Sequence, residues 1–500
     1  MSRSHPFNSR PAPQLIFSRT AAAAAQAQCD CACAAVLPFA PVSFQTDDEA
    51  LLCTSGVLLP LNDEYHVALS QQATVGLLNQ SAAEMAAYFR SPHTLHDIPI
   101  AWTDTWGETT VNETLKKLVA SSLLAPSARP KESIAEASVT LSVWLHITDR
   151  CNLRCSYCYL PHQQADMLLE TGKAAVDAAF RSAAAHQHRT VKFKYAGGEP
   201  LLRFPLVAEL HQYAQTQAAQ RGLDLDGVVL SNGTLLTKEI IETLQSLHLR
   251  LMISLDGLGA THDEQRHCAD GRSSSADAVR SIELALSSGL VPDISVTVTG
   301  RSAEGLPELT AWLLERDLPF SLNFYRENDF SAANKDLELE EEKIISGMMA
   351  AFKVIEKNLP RRSLLASLVD RANLSAPHLR PCSAGGSCLV FDHAGQAHKC
   401  QMQMNRPVAA AQADDPLALI RSDKLGVQNI SVDEKIDCQE CGWKYWCAGG
   451  CPLATHRASG RYDVKSPSCN LYKTLCPAVL RLEGLRLLKY PETLVSLDEV

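Results

Sequence analysis

Eleven cysteines of this chain fall at spacings that suit metal binding. Cys151-x3-Cys155-x2-Cys158 gathers three thiols within eight residues, and farther on Cys382-x5-Cys388-x11-Cys400 precedes Cys438-x2-Cys441-x5-Cys447-x3-Cys451-x17-Cys469. The triplet can wrap one corner of a cubane cluster, one thiolate per iron. A [4Fe–4S] cluster normally takes four cysteines, so three leave one iron open to a substrate or cofactor. The competing reading is a structural zinc with its fourth ligand elsewhere, although zinc sites favour paired CxxC spacings. The downstream eight are the number that two fully ligated [4Fe–4S] clusters require, and spacing alone leaves two zinc sites open.

The surrounding elements must hold these groups in place. From Val139 to about Tyr325 strands and helices alternate, with strands expected at Leu141–Ile147, Val191–Tyr195, Gly227–Leu230, Leu251–Leu255, Asp293–Val298 and Phe320–Phe324. Helices are expected near Thr171–Ala185, Leu206–Gln220, Lys238–Leu247, Ala276–Ser288 and Leu306–Glu315. Six strands separated by helices imply parallel βαβ units and an open or closed α/β barrel. The cysteine triplet directly follows the first strand. Tyr195-Ala196-Gly197-Gly198-Glu199-Pro200 follows the second, Ser231-Asn232-Gly233-Thr234 the third, and Ser254-Leu255-Asp256-Gly257 the fourth, with Asp263 and Arg266 soon after. Paired glycines let the backbone approach a ligand closely, and Glu199 can accept hydrogen bonds from an ammonium group. Each motif alone reads equally well as a turn, a loop or a strand end. Four in order, each after a strand, fall where α/β barrels place active sites.

Taken together, the triplet with its tyrosines, GGEP, SNGT and SLDG resemble the radical S-adenosylmethionine (SAM) superfamily. The resemblance implies an α/β fold, a partial (β/α)6 TIM-type barrel, with a [4Fe–4S] cluster on Cys151, Cys155 and Cys158. It implies SAM on the open iron, contacted by Tyr157, Gly197, Gly198, Glu199, Ser231, Asn232, Ser254 and Arg266. In the family GGEP holds the methionyl amino group; Ser231 and Asn232 would reach the ribose, and Ser254 and Arg266 the carboxylate. Electron transfer into the sulfonium would release a 5′-deoxyadenosyl radical able to abstract hydrogen from an unactivated carbon, the cofactor supplying the hard step.

The later cysteines, with Gly395 five residues before Cys400, resemble the SPASM domain, the two-cluster extension of peptide-modifying radical enzymes. By that resemblance Cys382, Cys388, Cys400 and Cys451 hold the nearer auxiliary cluster and Cys438, Cys441, Cys447 and Cys469 the farther, three [4Fe–4S] clusters in all. The implied activity is that of an oxidoreductase that modifies a peptide or protein, through a thioether, carbon–carbon or carbon–oxygen link or a side-chain oxidation. Auxiliary clusters could accept the electron such an oxidation releases. Sulfatase maturases share this pattern over roughly residues 143–479. They carry Asp directly after the third cysteine of the nearer cluster and Gln before the two glycines, where this chain has Gln401 and Ala196. Formylglycine formation is therefore the secondary reading, and the catalytic base is unassigned. A non-catalytic iron–sulfur electron carrier is a further alternative, disfavoured because a carrier needs neither GGEP nor an open triplet.

The chain has 500 residues, 46% of them hydrophobic, and a formal net charge of −10. This composition suits a globular protein of several domains. It disfavours nucleic acid as a partner, and no apolar run is long enough to span a membrane. An odd count of 17 cysteines in so long a chain fits a disulfide scaffold poorly and suggests a reducing cytoplasm. The expected organisation is a disordered arm at 1–43, a small α+β domain at 44–126 and a linker at 127–138. The barrel then covers 139–375, the SPASM domain 376–480 and a tail 481–500. The small domain has the size of winged-helix elements that bind a precursor's leader peptide as an added strand, and residues 51–61 are the expected edge. A flavodoxin or ferredoxin would supply electrons. Cys29, Cys31, Cys33, Cys53, Cys268 and Cys476 are left without a role.

Overall fold

The computed structural model describes residues 10–18, 52–54, 56–127, 138–491 and 494–495. Its N-terminal part contains β1 (Leu15–Ser18), β2 (Leu52–Thr54), β3 (Val57–Pro60), β4 (Tyr65–Leu69), β5 (Val75–Asn79) and β6 (Leu124–Pro126). β3, β4 and β5 form an antiparallel meander, β1 pairs with the other side of β5, and β2 pairs with β6. Helices Gln80–Tyr88, Ile100–Trp106 and Glu108–Ala120 follow, sharing a core with Leu52, Ala68 and Leu78. Asn79 starts the first of them, its side chain accepting from the Ala82 N–H at 3.0 Å. The same side chain accepts from the Gln14 N–H and donates to the Ala12 carbonyl, docking the N-terminal strand.

Two expectations do not hold in this region. The strand expected over residues 51–61 is two strands with different partners. They are broken at Gly56, whose φ of +96° and approach to the Leu69 carbonyl leave no room for a side chain. Residues 15–18 form a strand and so do not belong to a structureless arm. Residues 1–9 and 19–51, with Cys29, Cys31 and Cys33, lie outside the described residues, as do linker residues 128–137.

The barrel contains β7 (Thr140–Thr148), β8 (Leu153–Cys155), β9 (Thr190–Gly197), β10 (Asp224–Ser231), β11 (Arg250–Ser254), β12 (Arg266–Cys268), β13 (Asp293–Val298) and β14 (Phe320–Phe324). β7, β9, β10, β11, β13 and β14 are parallel and adjacent in chain order, each at its expected place. All nine residues of β7 are buried, as in a parallel strand covered on both faces. β14 does not pair back to β7, so the barrel stays open. The free side of β7 instead takes β15 (Cys388–Phe391) in parallel, followed antiparallel by β16 (Gln396–His398) and β17 (Ala409–Ala410). The cysteine-rich segment therefore extends the barrel's own sheet, and the boundary expected at 375–376 does not divide it. Nor do the described residues after 480 form a tail: helix Cys469–Lys489 continues to residue 489, and β18 (Leu494–Val495) pairs with β1. Gly484 of that helix lies against Leu61 and Val67, so the N-terminal sheet packs directly on it. Among the described residues no helix is long and apolar enough to cross a membrane.

Two buried histidines hold this core near neutral pH. His211 shares a hydrogen bond with the Tyr195 hydroxyl at 3.1 Å, and His262 Nδ1 accepts from the Asp256 N–H at 3.2 Å. Burial lowers both rings to about 4. An unfolded histidine titrates near 6.5, so below that pH the unfolded chain binds protons that the folded chain refuses. Their contribution is complete above pH 6.5 and lost as pH falls to about 4, amounting to roughly 3 kcal/mol per ring at most. Calorimetry is expected to show the Tm falling across that window, and His211→Gln to flatten the fall.

Candidate active site

The loop after β7 brings the triplet to the mouth of the strands. Thr148 donates to Asp166 at 2.6 Å and accepts from the Arg150 N–H at 3.0 Å, fixing the turn just before Cys151. β8 then pairs antiparallel with β12, with Cys155 opposite Arg266. One cavity of about 280 Å³ is lined by Cys151, Cys155 and Cys158 together with Tyr157, Gly197, Gly198, Ser231, Asn232, Ser254 and Arg266. Residues from five separate segments, far apart in the sequence, thus meet in one place. The glycines serve the neighbouring loop. A Cβ on Gly197 would strike the Thr148 carbonyl at 2.4 Å, and one on Gly198 the Arg150 carbonyl at 2.2 Å. They let the end of β9 close onto the cysteine loop, where Gly198 N–H donates to the Thr148 carbonyl.

Glu199 is the one expected cofactor contact that does not line the cavity. It is fully buried and accepts from the Ser231 hydroxyl at 2.8 Å and the N–H groups of Asn232 and Leu201 at 2.7 and 3.0 Å. Burial raises its carboxyl above the usual range, opposed by these three donors. In this arrangement Glu199 shapes the Ser231–Gly233 turn. Asn232 in turn donates to Asn152 at 2.9 Å, beside Cys151.

A second buried group went unassigned in the sequence. Asp256 accepts from the Thr297 N–H at 2.7 Å and from the Tyr157 hydroxyl, and it pairs with Arg266 at 3.6 Å. Arg266 also donates to the Tyr157 hydroxyl. The signal was available in Ser-Leu-Asp-Gly, an acid at a strand end. Cys151 and Cys155 are pushed up to about 11 and about 12, burial being the main cause. As free thiols they stay protonated; a cationic cluster core would reverse this, since metal ligation deprotonates a thiol.

Cys382, Cys388, Cys400 and Cys451 line one void of about 50 Å³ next to the cofactor cavity. Arg326, Arg371, Gln401 and Met402 line both spaces. Neither arginine carries a motif that sequence reading could have used. Burial works to raise the Cys451 thiol, but Arg326 and Arg371 outweigh it and hold it below its ordinary value, favouring a thiolate. Cys447, pushed up to about 12 by burial, has Cys438, Cys441 and Cys469 as its charge neighbours. Cys476 is fully buried next to Cys447 and Cys441, and Cys268 sits buried on β12 against the Ser273 carbonyl. Among the described residues no three Cys, His, Asp or Glu side chains converge as a single ion would require.

Residues 145–313 match the family model described as the radical SAM superfamily. An uncharacterised protein of Methanocaldococcus jannaschii is 26% identical over 222 residues, 44% of this chain and 74% of its own length. The Fe-coproporphyrin III synthase of Methanosarcina barkeri is 29% identical over 372 residues, 66% of this chain and 88% of its own. The serine-type anaerobic sulfatase-maturating enzyme of Klebsiella aerogenes is 24% identical over 326 residues, 62% and 78%. The solved structure of anSMEcpe with bound AdoMet and Cp18Cys peptide superposes with a TM-score of 0.58 at 18% identity, over 69% of this chain and 99% of that one.

Proposed function

Because this chain belongs to the radical SAM superfamily through residues 145–313, we propose that it cleaves SAM reductively and uses the radical to modify a peptide or protein. Bound beside a [4Fe–4S] cluster and reduced by one electron, SAM supplies a 5′-deoxyadenosyl radical that takes hydrogen from an unactivated carbon. The observation that carries this reading is the convergence of the triplet and seven of its expected neighbours on one cavity, with a cysteine tetrad behind it. Cys151, Cys155 and Cys158 would hold the first cluster. Ser231, Asn232, Ser254 and Arg266 present polar groups to the space beside it, and Arg266 offers a buried cation for a carboxylate. Cys382, Cys388, Cys400 and Cys451 would hold a second cluster, and Cys438, Cys441, Cys447 and Cys469 a third. Their work requires a reducing, cytoplasmic setting and a low-potential donor.

The substrate class rests on separate support. The relatives described above include a porphyrin synthase and a sulfatase maturase, so likeness alone leaves the substrate open. A peptide is favoured by the N-terminal sheet, whose end strand β3 has β4 as its one partner in that sheet. An extended leader can pair along such an edge. Gln401 lines the cofactor cavity and the tetrad void at once, the place where a base would act on substrate, and an amide cannot serve as one. Sulfatase maturation is therefore the lesser reading.

One anaerobic assay tests both points. Dithionite-reduced enzyme, SAM and a candidate precursor encoded beside this gene should give 5′-deoxyadenosine and a mass change in the peptide. A sulfatase peptide in its place should gain no formylglycine. Equal modification of peptides with and without their leaders would sink the role of the N-terminal sheet, and efficient formylglycine formation would overturn the weight placed on Gln401.

A further inference from the structure

Three spaces lie in series through this molecule. Arg326, Arg371, Gln401 and Met402 separate the cofactor cavity from the void of the Cys382 tetrad. Cys382 lines that void and also an outer cleft of about 700 Å³. The cleft is bordered by Arg189, Arg380, Arg421 and Lys424. Of its two acidic members, Asp423 is largely buried and the Glu434 carboxylate is exposed, one anion against four bordering cations. Asp423 forms an ion pair with Lys399 at 2.8 Å, and Glu434 accepts from the Ser431 N–H at 3.1 Å. On a chain of formal net charge −10 this is a local reversal of sign. Arg189, Arg421 and Lys424 are exposed, and Leu425 beside them is 65% exposed.

We propose that this cleft docks an acidic one-electron carrier protein, which passes its electron to the cluster that Cys382 helps to hold. The proposal rests on the cluster reading above and adds the port of entry. The carrier is oxidised by one electron and the cluster reduced by one, with no bond or proton changing place. An exposed apolar residue within a charged rim suits a brief encounter: the charge draws and orients the partner, and a small contact lets it leave. Nucleic acid fits less well, because four cations on an acidic chain make a short footprint for a phosphate backbone.

The test uses full-length reconstituted enzyme and a purified, fluorescently labelled plant-type ferredoxin, an acidic protein, as the probe. Anisotropy should report binding that weakens about tenfold or more between about 50 and about 500 mM salt, as screening predicts. The R421E/K424E double variant should lose a similar factor at low salt, while dithionite reduces its clusters as in the parent. Since Arg421 also bonds the Gly386 carbonyl, R189E provides a second charge reversal clear of that contact. Absence of ferredoxin binding at low salt, or unchanged binding by both charge-reversed variants, overturns the proposal. So does tighter binding of a single-stranded oligonucleotide, or a salt-dependent dimer of this chain that fills the cleft. Failure of the cluster reading itself would show earlier and separately, as iron too scarce for an auxiliary cluster before any carrier is added.

Discussion

Replacing Cys151, Cys155 and Cys158 together with Ala is expected to abolish SAM cleavage and to remove about a third of the iron, from about twelve to about eight per chain after anaerobic reconstitution. The effect should be clean because the triplet sits on a loop framed by other groups. Thr148, Arg150 and Asp166 fix the turn before it, and the β8–β12 pairing anchors the segment from Leu153 to Cys155. In the free protein these thiols are neutral, so their loss strands no buried charge. Stability should change by no more than about 1–2 kcal/mol, as for small buried truncations. The two tetrads draw on other segments and should keep their iron. Metal analysis and chromatographic detection of 5′-deoxyadenosine check both halves. Stoichiometric zinc with little iron in anaerobically purified protein would overturn the reading.

Arg266→Met should be costly in a different way. Arg266 and Asp256 are both buried, and the tyrosine between them donates to one and accepts from the other. Removing the guanidinium leaves the Asp256 carboxylate buried without its cation, a change that typically costs about 3–5 kcal/mol. A marked drop in Tm is therefore expected, together with loss of SAM binding. Adding Asp256→Asn to Arg266→Met neutralises the stranded charge and should restore much of the Tm without restoring SAM affinity. That split separates the two roles. Recovery of both would mean that Arg266 is only structural, and an unchanged Tm in the single variant would mean that Asp256 is not confined as the geometry indicates.

The barrel was legible because its strands are long, apolar and separated by helices of ordinary length, so period and spacing carry nearly all the information. The cavity was legible for a related reason: parallel strands end on the same side, and any polar group just after a strand must face its neighbours' counterparts. The N-terminal region was harder. Gly56 breaks an apparently continuous strand because its neighbour's carbonyl lies where a side chain would go, and no local pattern reveals that neighbour. Residues 15–18 are too short and too far from their partners to betray a strand. The role of Glu199 was hidden too, since three donors from the turns beside it claim its oxygens. Asp256, Arg326 and Arg371 act through contacts across the barrel that spacing does not encode.

The pairing of β1 with β18 ties residues 17 and 18 to residues 495 and 494. During synthesis β1 is made well before β18, so the earlier strand must wait for the later one. The meander of β3, β4 and β5 is local and can form at once, whereas closing the sheet beyond β1 is the longest-range strand pairing among the described residues. Contacts of such separation are slow to form because loop-closure entropy is spent before they return anything. Until then a strand edge stays open to other chains, which is a route to aggregation. Helix Cys469–Lys489 is made just before β18 and carries both a tetrad cysteine and the surface on which the N-terminal sheet rests. If the farther tetrad holds a cluster, its insertion and the completion of the N-terminal sheet would be late events that share one helix.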